Sequence, residues 1–165
     1  MTRLLGIDLG DRRMGLATGD TEGSVARPLS TLRRRRDAAA DAQTLRQIID
    51  AESIDEVIVG LPLEASGAEG PQATHTRAWV AAVEVLLALP VTYRDERLTS
   101  HLAEARLGPM KRGRSGGPPS KTQRDAYRAR VDREAAAIIL QDELDTRARR
   151  RSSMPPVIHP QETDT

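Results

Sequence analysis

Acidic side chains at three distant points of the sequence are the candidates for chemistry. Asp8 lies within the apolar run 4–10, Asp95 and Glu96 follow another apolar run, and Asp132 borders the apolar face of a predicted helix. A carboxylate in apolar surroundings is costly unless a metal ion, a cation or hydrogen bonds compensate its charge. Carboxylates that converge without His or Cys partners form a hard oxygen site, which suits Mg²⁺ or Mn²⁺. Two such ions about 4 Å apart activate water and stabilise the leaving oxygen in phosphodiester cleavage.

Each of these acids also has an ordinary structural interpretation. Asp8 could pair with one of the two arginines in the following turn, Glu96 could be a loop acid, and Asp132 could lie on the solvated surface of its helix. Asp95 and Glu96 point to opposite sides of an extended chain, so only one of them can face Asp8. The residues by themselves leave these alternatives open.

The hydrophobic pattern predicts the elements that must position the acids. Short apolar runs predict five strands, and apolar residues at helical spacing predict helices. Turns join the first three strands into an antiparallel meander, whereas a helix precedes each later strand. We therefore expect an α/β fold with a mixed five-stranded sheet, in which two crossover strands extend the meander and helices cover the faces. The predicted strands are 4–10, 14–18, 25–32, 57–61 and 91–94, and the last helix is 124–147.

Composition limits the classes of function that the chain can have. It has 165 residues, enough for one domain, and no Cys, which excludes disulfides, thiolate metal sites and Cys nucleophiles. With no Phe, two Tyr and one Trp, the core must consist mainly of aliphatic residues. The sequence shows no leader pattern and no apolar run near the membrane-spanning length of about 18 residues. We expect a soluble cytoplasmic protein without a membrane partner.

A basic segment follows the second acidic pair. Residues 106–124 contain six cations and no acid, interleaved with glycine and proline, which predicts a mobile basic loop over 108–123. Such cations can engage several phosphates, and binding of that kind falls steeply with salt. The scarcity of aromatic residues argues against base stacking, so structured duplexes or junctions fit better than single strands. We expect a domain over 1–147 and a disordered Arg- and Pro-rich tail over 148–165.

Four motifs together resemble the YqgF/RuvX family, RNase H-like bacterial proteins described as Holliday junction resolvases and as pre-16S rRNA nucleases. Residues 6–17 resemble the family's opening pattern G-x-D-x-G-x-x-R-x-G-x-A, and residues 59–63 are similar to its second motif. Residues 95–100 resemble D-E-R-x-[ST]-[ST], and residues 131–136 resemble the I-D-x-x-A-A of its final helix. The resemblance extends in order over most of the chain, and only the C-terminal tail lies outside it.

The resemblance implies a metal-dependent endonuclease that hydrolyses phosphodiesters in structured nucleic acid, either at the 5′ end of pre-16S rRNA or at Holliday junctions. Asp8 would bridge the metal ions, and Glu96, with Asp95 as the alternative, and Asp132 would complete the Mg²⁺ or Mn²⁺ site. No organic cofactor is implied, and a junction resolvase would act as a homodimer. The residues expected to contact nucleic acid are Arg13, Arg97, Lys111, Arg112, Arg114, Lys121 and Arg124.

Other interpretations remain beside this one. Arg13 could pair with Asp95 or Asp132 instead of a phosphate, and residues 63–67 differ from the Asn-Met-Asp-Gly that the family often has there. A non-catalytic nucleic-acid-binding module on the same fold is the alternative function. Sugar kinases and actin-like ATPases open with a similar acidic, glycine-rich strand, but they need two such domains, for which 165 residues are too few.

Overall fold

The computed structural model describes residues 1–154, which form one mixed five-stranded sheet with helices on both faces. The strands are β1 (Arg3–Leu9), β2 (Arg13–Asp20), β3 (Arg27–Arg33), β4 (Glu56–Leu61) and β5 (Val91–Asp95). The helices are α1 (Ala38–Glu52), α2 (Pro71–Leu87), α3 (Thr99–Leu107) and α4 (Lys121–Ser153). The spatial order is β3-β2-β1-β4-β5, with β1 to β3 antiparallel and β4 and β5 parallel to β1. The predicted meander with two crossover strands is confirmed.

The side chains of β1 alternate between two cores, because both faces of this central strand are covered. Leu5 and Ile7 are fully buried in the cluster that the sheet forms with α1 and α2. Leu4 lies on the opposite face, in the cluster that the sheet forms with α4. Asp8 shares the alternation of Leu4 and Gly6, so its side chain belongs to the α4 face.

Glycines in the strands allow α4 to lie very close to the sheet. A Cβ on Gly6 would lie 2.8 Å from the Cβ of Leu140 and 2.9 Å from the carbonyl oxygen of Ala136. A Cβ on Gly15 would overlap the carbonyl oxygen of Asp132. Real Cβ atoms do not approach so closely, so these two strand positions require glycine for this packing. The close contact brings Asp132 over β2, beside the strand that carries Asp8.

Helix α4 begins earlier than the hydrophobic pattern predicts. Ser120 and Gln123 form a capping box, in which each side chain accepts a hydrogen bond from the backbone N–H of the other residue. The cap satisfies N–H groups that the first helical turn leaves without partners. The helix therefore begins at Lys121, and the basic loop before it spans 108–120 instead of the predicted 108–123.

The helix also continues beyond its predicted end, to Ser153, so the predicted disordered tail 148–165 is wrong over its first part. Neither Gly nor Pro interrupts this extension, and Arg151 donates a hydrogen bond to the carbonyl oxygen of Thr21 (2.7 Å). Residues 155–165 lie outside the described residues, and their disorder stays a prediction. Within residues 1–154, no helix combines the length and apolar character needed to cross a membrane.

Candidate active site

The parallel part of the sheet brings Asp8 and Glu96 together. β1, β4 and β5 run in the same direction, so their carboxyl ends lie at one edge, with Asp8 near the end of β1 and Glu96 directly after β5. The backbone N–H of Glu96 donates to the carbonyl oxygen of Leu61 (3.2 Å), which extends the β4–β5 ladder by one residue. A Cβ on Gly60 would lie 2.5 Å from Glu96 Oε2. The missing side chain of Gly60 therefore leaves the space in which the Glu96 carboxyl group lies.

A tight turn after Glu96 holds its backbone. Leu98 adopts a left-handed conformation (φ 68°), and the backbone N–H and the hydroxyl of Thr99 both donate to the carbonyl oxygen of Glu96 (3.1 and 2.8 Å). Leu98 is the N-cap residue of α3, and its apolar side chain cannot accept a capping hydrogen bond.

The Asp8 and Glu96 carboxyl groups share a buried environment that disfavours their charged forms. Burial raises the pKa of Asp8, the hydrogen bond from Glu96 opposes that effect, and the negative charge of Asp132 adds to it. Burial, together with the charge of Asp8 and the hydrogen bond to it, raises the pKa of Glu96 to about 9. Oε2 of Glu96 is buried and receives no hydrogen bond from the described residues. Near neutral pH the pair therefore holds a proton, with Glu96 as donor and Asp8 as acceptor.

Asp95 faces away from this pair, which resolves the choice that the sequence left open. Its carboxylate is exposed and accepts hydrogen bonds from the backbone N–H and the Nε of Arg97 (2.9 and 2.8 Å). Arg97 lowers the pKa of Asp95 through these hydrogen bonds and through its charge. Arg97, which we expected to contact nucleic acid, also donates to the carbonyl oxygen of Ala65 (3.3 Å). Glu96 is therefore the member of the pair that faces Asp8.

Asp132 lies on the same side of the sheet, but an arginine holds it. Arg13 Nε donates to Asp132 Oδ2 at 2.6 Å, and both side chains are partly buried. Within residues 1–154, no group of three His, Cys, Asp or Glu side chains has the arrangement of a metal site. The structure thus unites two of the three predicted ligands, whereas the third forms the ion pair that the sequence allowed as an alternative. Asp8 forms no ion pair with an arginine of the described chain.

A basic groove opens beside this site, with a volume of about 1110 Å³. Its walls are the turn after β1 (residues 11–13), the end of β3 and the residues after it (33–35), and the first turns of α4 (121–128). Eight basic and two acidic side chains line it, a formal charge of +6 in a chain whose net charge is +1. Arg13 is one of these residues, so the groove reaches the side chain that holds Asp132.

The predicted nucleic-acid-binding residues divide into two sets. The first set lines the groove and comprises Arg13, Lys121 and Arg124. The second set lies outside it: Arg97 is paired with Asp95, and the exposed side chains of Lys111, Arg112 and Arg114 belong to the loop before α4. The sequence interpretation missed the other basic residues of the groove, which are Arg12, Arg33, Arg34, Arg35 and Arg128.

The missed residues carry only a weak signal in the sequence. The run 33–36 is visible as four arginines, but a charge run after a strand is usually only solvated. Arg128 lies in a polar stretch of a helix, with nothing nearby in sequence to distinguish it. Only the packing of α4 against the first three strands brings these arginines to one groove.

The fold and the sequence identify the class and then the family. The chain has the RNase H-like fold of Thermus thermophilus RuvC in complex with a Holliday junction substrate, with a TM-score of 0.51, 15% identity and coverage of 90% of this chain and 96% of that one. A family model described as "RuvX: Holliday junction resolvase" matches residues 2–146. The chain belongs to the RuvX family.

Relatives with assigned names support the same assignment. A protein of Chloroflexus aggregans named "Putative pre-16S rRNA nuclease" is 40% identical over 144 residues, which cover 87% of this chain and 94% of that protein. A protein of the same name from Anaeromyxobacter sp. (strain K) is 40% identical over 146 residues, which cover 88% of this chain and 98% of that protein. The family that the four motifs indicated is thereby confirmed.

Proposed function

We propose that this RuvX-family chain is a divalent-metal-dependent endonuclease that hydrolyses phosphodiesters in structured nucleic acid. The observation that carries the proposal is the Asp8–Glu96 pair, two carboxyl groups with raised pKa values at the carboxyl edge of the sheet. Strongly perturbed acids in such a position are typical of functional sites. The family match and the names of the relatives support nuclease activity. The basic groove beside the pair supports nucleic acid as the substrate.

The acids at this edge fit Mg²⁺ or Mn²⁺. Both ions prefer carboxylate oxygens, and Glu96 Oε2 is a buried acceptor to which no described residue donates. Asp8 and Glu96 would hold the ion, and Asp132 would join them as third ligand once Arg13 releases its Oδ2. When bound, the ion would supply an activated water and offset negative charge at the scissile phosphate.

The protein's own residues would bind the strand and keep the acids oriented. Arg13 lines the groove and bonds Asp132, so a phosphate that draws Arg13 away would free the carboxylate of Asp132. Thr99 fixes the carbonyl of Glu96, and Gly60 leaves room for the carboxyl group of Glu96, which together orient this side chain. The proton shared by Asp8 and Glu96 must leave before both groups can act as anionic ligands.

The test asks whether the purified protein, with Mn²⁺ added, cleaves either of two substrates. One is an RNA with the 5′ end of pre-16S rRNA, and the other is a four-way DNA junction. We expect cleavage of at least one, and a loss of about 100-fold or more in Asp8→Asn, Glu96→Gln and Asp132→Asn. Asp95→Asn is the matched control, because its carboxylate is exposed and bonds Arg97, and it should retain most of the activity. If neither substrate is cut, or if Asp8→Asn cuts like the wild type, the chain is not a metal-dependent nuclease.

A second candidate is a non-catalytic module that binds nucleic acid on the same fold. The ion pair between Arg13 and Asp132 favours it, because that pair neutralises one of the three acids that metal-dependent cleavage would use. Such a module would bind nucleic acid equally well with and without divalent metal, and Asp8→Asn would not change that binding. Metal-dependent cleavage that Asp8→Asn abolishes would rule this candidate out.

The choice of substrate determines the expected assembly. A junction has two strands to cut, so the DNA assignment calls for a homodimer, whereas rRNA processing needs only one copy. Light scattering of the protein with and without the junction measures this directly. In the bacteria from which the relatives come, both substrates are found in the cytoplasm, and we propose that location for this chain.

A further inference from the structure

Four arginines of the basic groove form neither an ion pair nor a side-chain hydrogen bond in the described part of the chain. Arg12, Arg33, Arg35 and Arg128 are exposed, and each contributes to the lining of the same groove. Like charges gathered in one concavity repel each other, and an anion that binds between them relieves this repulsion. The remainder of the chain carries a net negative charge, so the groove is a local concentration of cations and not part of an overall excess.

A buried acid fixes the wall of the groove. Asp41 is completely buried and accepts hydrogen bonds from Arg34 Nε (2.9 Å), the backbone N–H of Arg35 (2.7 Å) and the indole N–H of Trp79 (3.0 Å). Arg34 also donates to the carbonyl oxygen of Gly10 (2.8 Å), at the end of the strand that carries the active-site aspartate. The segment 33–35 is thus anchored to the end of β1 near Asp8. Its exposed residues Arg33 and Arg35 are therefore preorganised for binding a ligand.

The opposite wall is the N-terminal part of α4. Lys121 and Arg124 lie in its first turn, where the helix dipole also favours anions, and Arg128 follows one turn later. Lys121 is paired with Asp125 (3.3 Å), whereas Arg128 is free of such a partner among residues 1–154. Two walls of cations therefore face one concavity, an arrangement that can contact phosphates on both sides of a bound strand or helix.

The chemistry of the lining indicates what the groove recognises. It contains arginine, lysine and aspartate side chains and no aromatic ring, so it offers phosphate contacts without a surface for base stacking. A duplex carries about twice the phosphate charge per unit length of a single strand. A single strand would gain little affinity in this groove, because no side chain of the lining can stack on its bases. Charge and shape therefore favour a double helix over unpaired nucleotides.

We propose that the groove binds the sugar-phosphate backbone of a double-stranded arm of the substrate, next to the acid pair where the strand is cut. The proposal rests on the proposed function for its substrate, and it adds the duplex specificity and the residues that provide it. Arg12, Arg33, Arg35 and Arg128 bind the arm, and Arg34 is a positioning residue that acts through Gly10 and Asp41.

The experiment measures binding in EDTA, without cleavage, by fluorescence anisotropy over a series of salt concentrations. The probes are a labelled RNA duplex, a DNA duplex and the corresponding single strands of equal length. We expect the wild type to bind both duplexes more tightly than the single strands. The variant Arg12→Gln/Arg33→Gln/Arg35→Gln/Arg128→Gln should bind the duplexes about 100-fold more weakly, and the slope of log K against log salt should fall by about 3 to 4.

A matched variant controls for net charge and for folding. Arg36→Gln/Arg130→Gln/Arg149→Gln/Arg150→Gln removes the same number of charges from exposed positions outside the groove. Arg36 is adjacent to the groove residue Arg35, and Arg130 lies two residues from Arg128. Circular dichroism verifies that both variants are folded. The control variant should bind duplex like the wild type.

Three results would overturn the proposal: equal weakening in both variants, an unchanged salt slope in the groove variant, or single strands that bind as tightly as duplexes. The nuclease proposal fails differently, by the absence of cleavage that depends on Asp8. Because the binding experiment contains no metal and requires no cleavage, each proposal can fail while the other stands.

Discussion

At the residue scale, burial and the neighbouring charge of Asp8 both oppose ionisation of Glu96. Its carboxyl group lies under α4, beside Asp8, and its pKa is raised to about 9. The ionised form is therefore disfavoured in the folded chain and solvated in the unfolded chain. An acid whose folded pKa is raised contributes stability below its unfolded pKa of about 4.5, and this contribution is lost as the pH rises through 9.

Replacement of this acid should change how stability depends on pH. Without metal, Glu96→Gln should have nearly the same free energy of unfolding as the wild type at pH 5. At pH 9 its free energy of unfolding should exceed that of the wild type by about 1–3 kcal/mol, and its unfolding temperature should be higher. Thermal unfolding in EDTA from pH 5 to pH 9 measures this difference. Glu104→Gln, at an exposed position of α3, serves as the control. Parallel pH profiles of Glu96→Gln and the wild type would contradict the raised pKa.

Gly60 controls the position of the Glu96 carboxyl group. A Cβ at residue 60 would lie 2.5 Å from Glu96 Oε2 and 2.6 Å from Ile139 Cδ1, two side-chain ends that can move. Gly60→Ala should therefore cost only about 1 kcal/mol of stability, while cleavage falls by about tenfold or more because Glu96 is displaced. Urea unfolding and single-turnover cleavage measure the two effects.

A second change separates packing from positioning at this site. The double variant Gly60→Ala/Ile139→Val removes the contact with Cδ1 but leaves the contact with Glu96. It should restore packing in part and leave cleavage impaired. Recovery of activity together with stability would show that Gly60 matters only for the packing of α4.

At the scale of elements, local geometry decides where helices begin and where they end. α4 begins with a capping box, whereas α2 ends at Ala88, which adopts the left-handed conformation (φ 53°) and donates its N–H to the carbonyl oxygen of Glu84 (2.9 Å). A left-handed residue after a helix is usually glycine, because a Cβ is unfavourable there. The exposed end of α2 is therefore stabilised less than it could be.

Two substitutions, one at the C-cap of α2 and one inside this helix, should therefore change the free energy of unfolding in opposite directions. Ala88→Gly should stabilise the protein by about 0.5–1 kcal/mol, because glycine adopts the left-handed conformation without strain. Ala82→Gly, at an exposed position inside the same helix, should destabilise it by about 1 kcal/mol. Urea unfolding measures both. Destabilisation by Ala88→Gly would indicate that the helix does not end in this conformation.

At the scale of the whole molecule, α4 extends from the carboxyl ends of the parallel strands, where Asp8 and Glu96 lie, to the opposite ends of these strands. Its N-terminal half carries Asp132 and one wall of the groove. Its C-terminal half carries Arg147, which bonds Glu56 at the start of β4 (2.6 Å) and the buried Glu143 (2.7 Å). The first half thus carries groove residues besides packing on β1 and β2, and Arg147 in the second half ties the helix to the start of β4.

Loss of Arg147 should affect stability without affecting chemistry. Arg147→Met leaves Glu56 without its partner and leaves Glu143 with Arg94 alone (3.5 Å). The free energy of unfolding should fall by about 2–3 kcal/mol, less than for a fully buried pair because Arg147 is partly exposed. Arg149→Met, at an exposed position of the same helix, should change stability by less than about 0.5 kcal/mol. Urea unfolding gives the stabilities, and cleavage per folded molecule should stay at the wild-type value. A selective loss of cleavage would show that this end of α4 also serves the active site.

Local sequence patterns were sufficient for much of this structure. The alternation in β1, the continuous apolar run of β4 and the helical spacing in α4 depend on residues close in sequence, and they predicted the order of elements and both layers of helices. The four motifs identified the family, and β1, β4 and β5 brought Asp8 and Glu96 to one edge because parallel strands end together. The boundaries of α4 were missed, because a capping box and a tertiary contact with Thr21 set them.

The tertiary structure decided which charges pair and which remain free. The sequence by itself determined that Asp8 needed a compensating partner, but the packing of α4 on Gly15 put Asp132 within reach of Arg13. The continuation of the β4–β5 ladder to Glu96 put Glu96, not Asp95, on the side of the sheet that carries Asp8. The basic groove arises in the same way from three segments far apart in the chain. Side-chain pairing depends on distances of a few ångströms between such segments, and only the packed fold determines those distances.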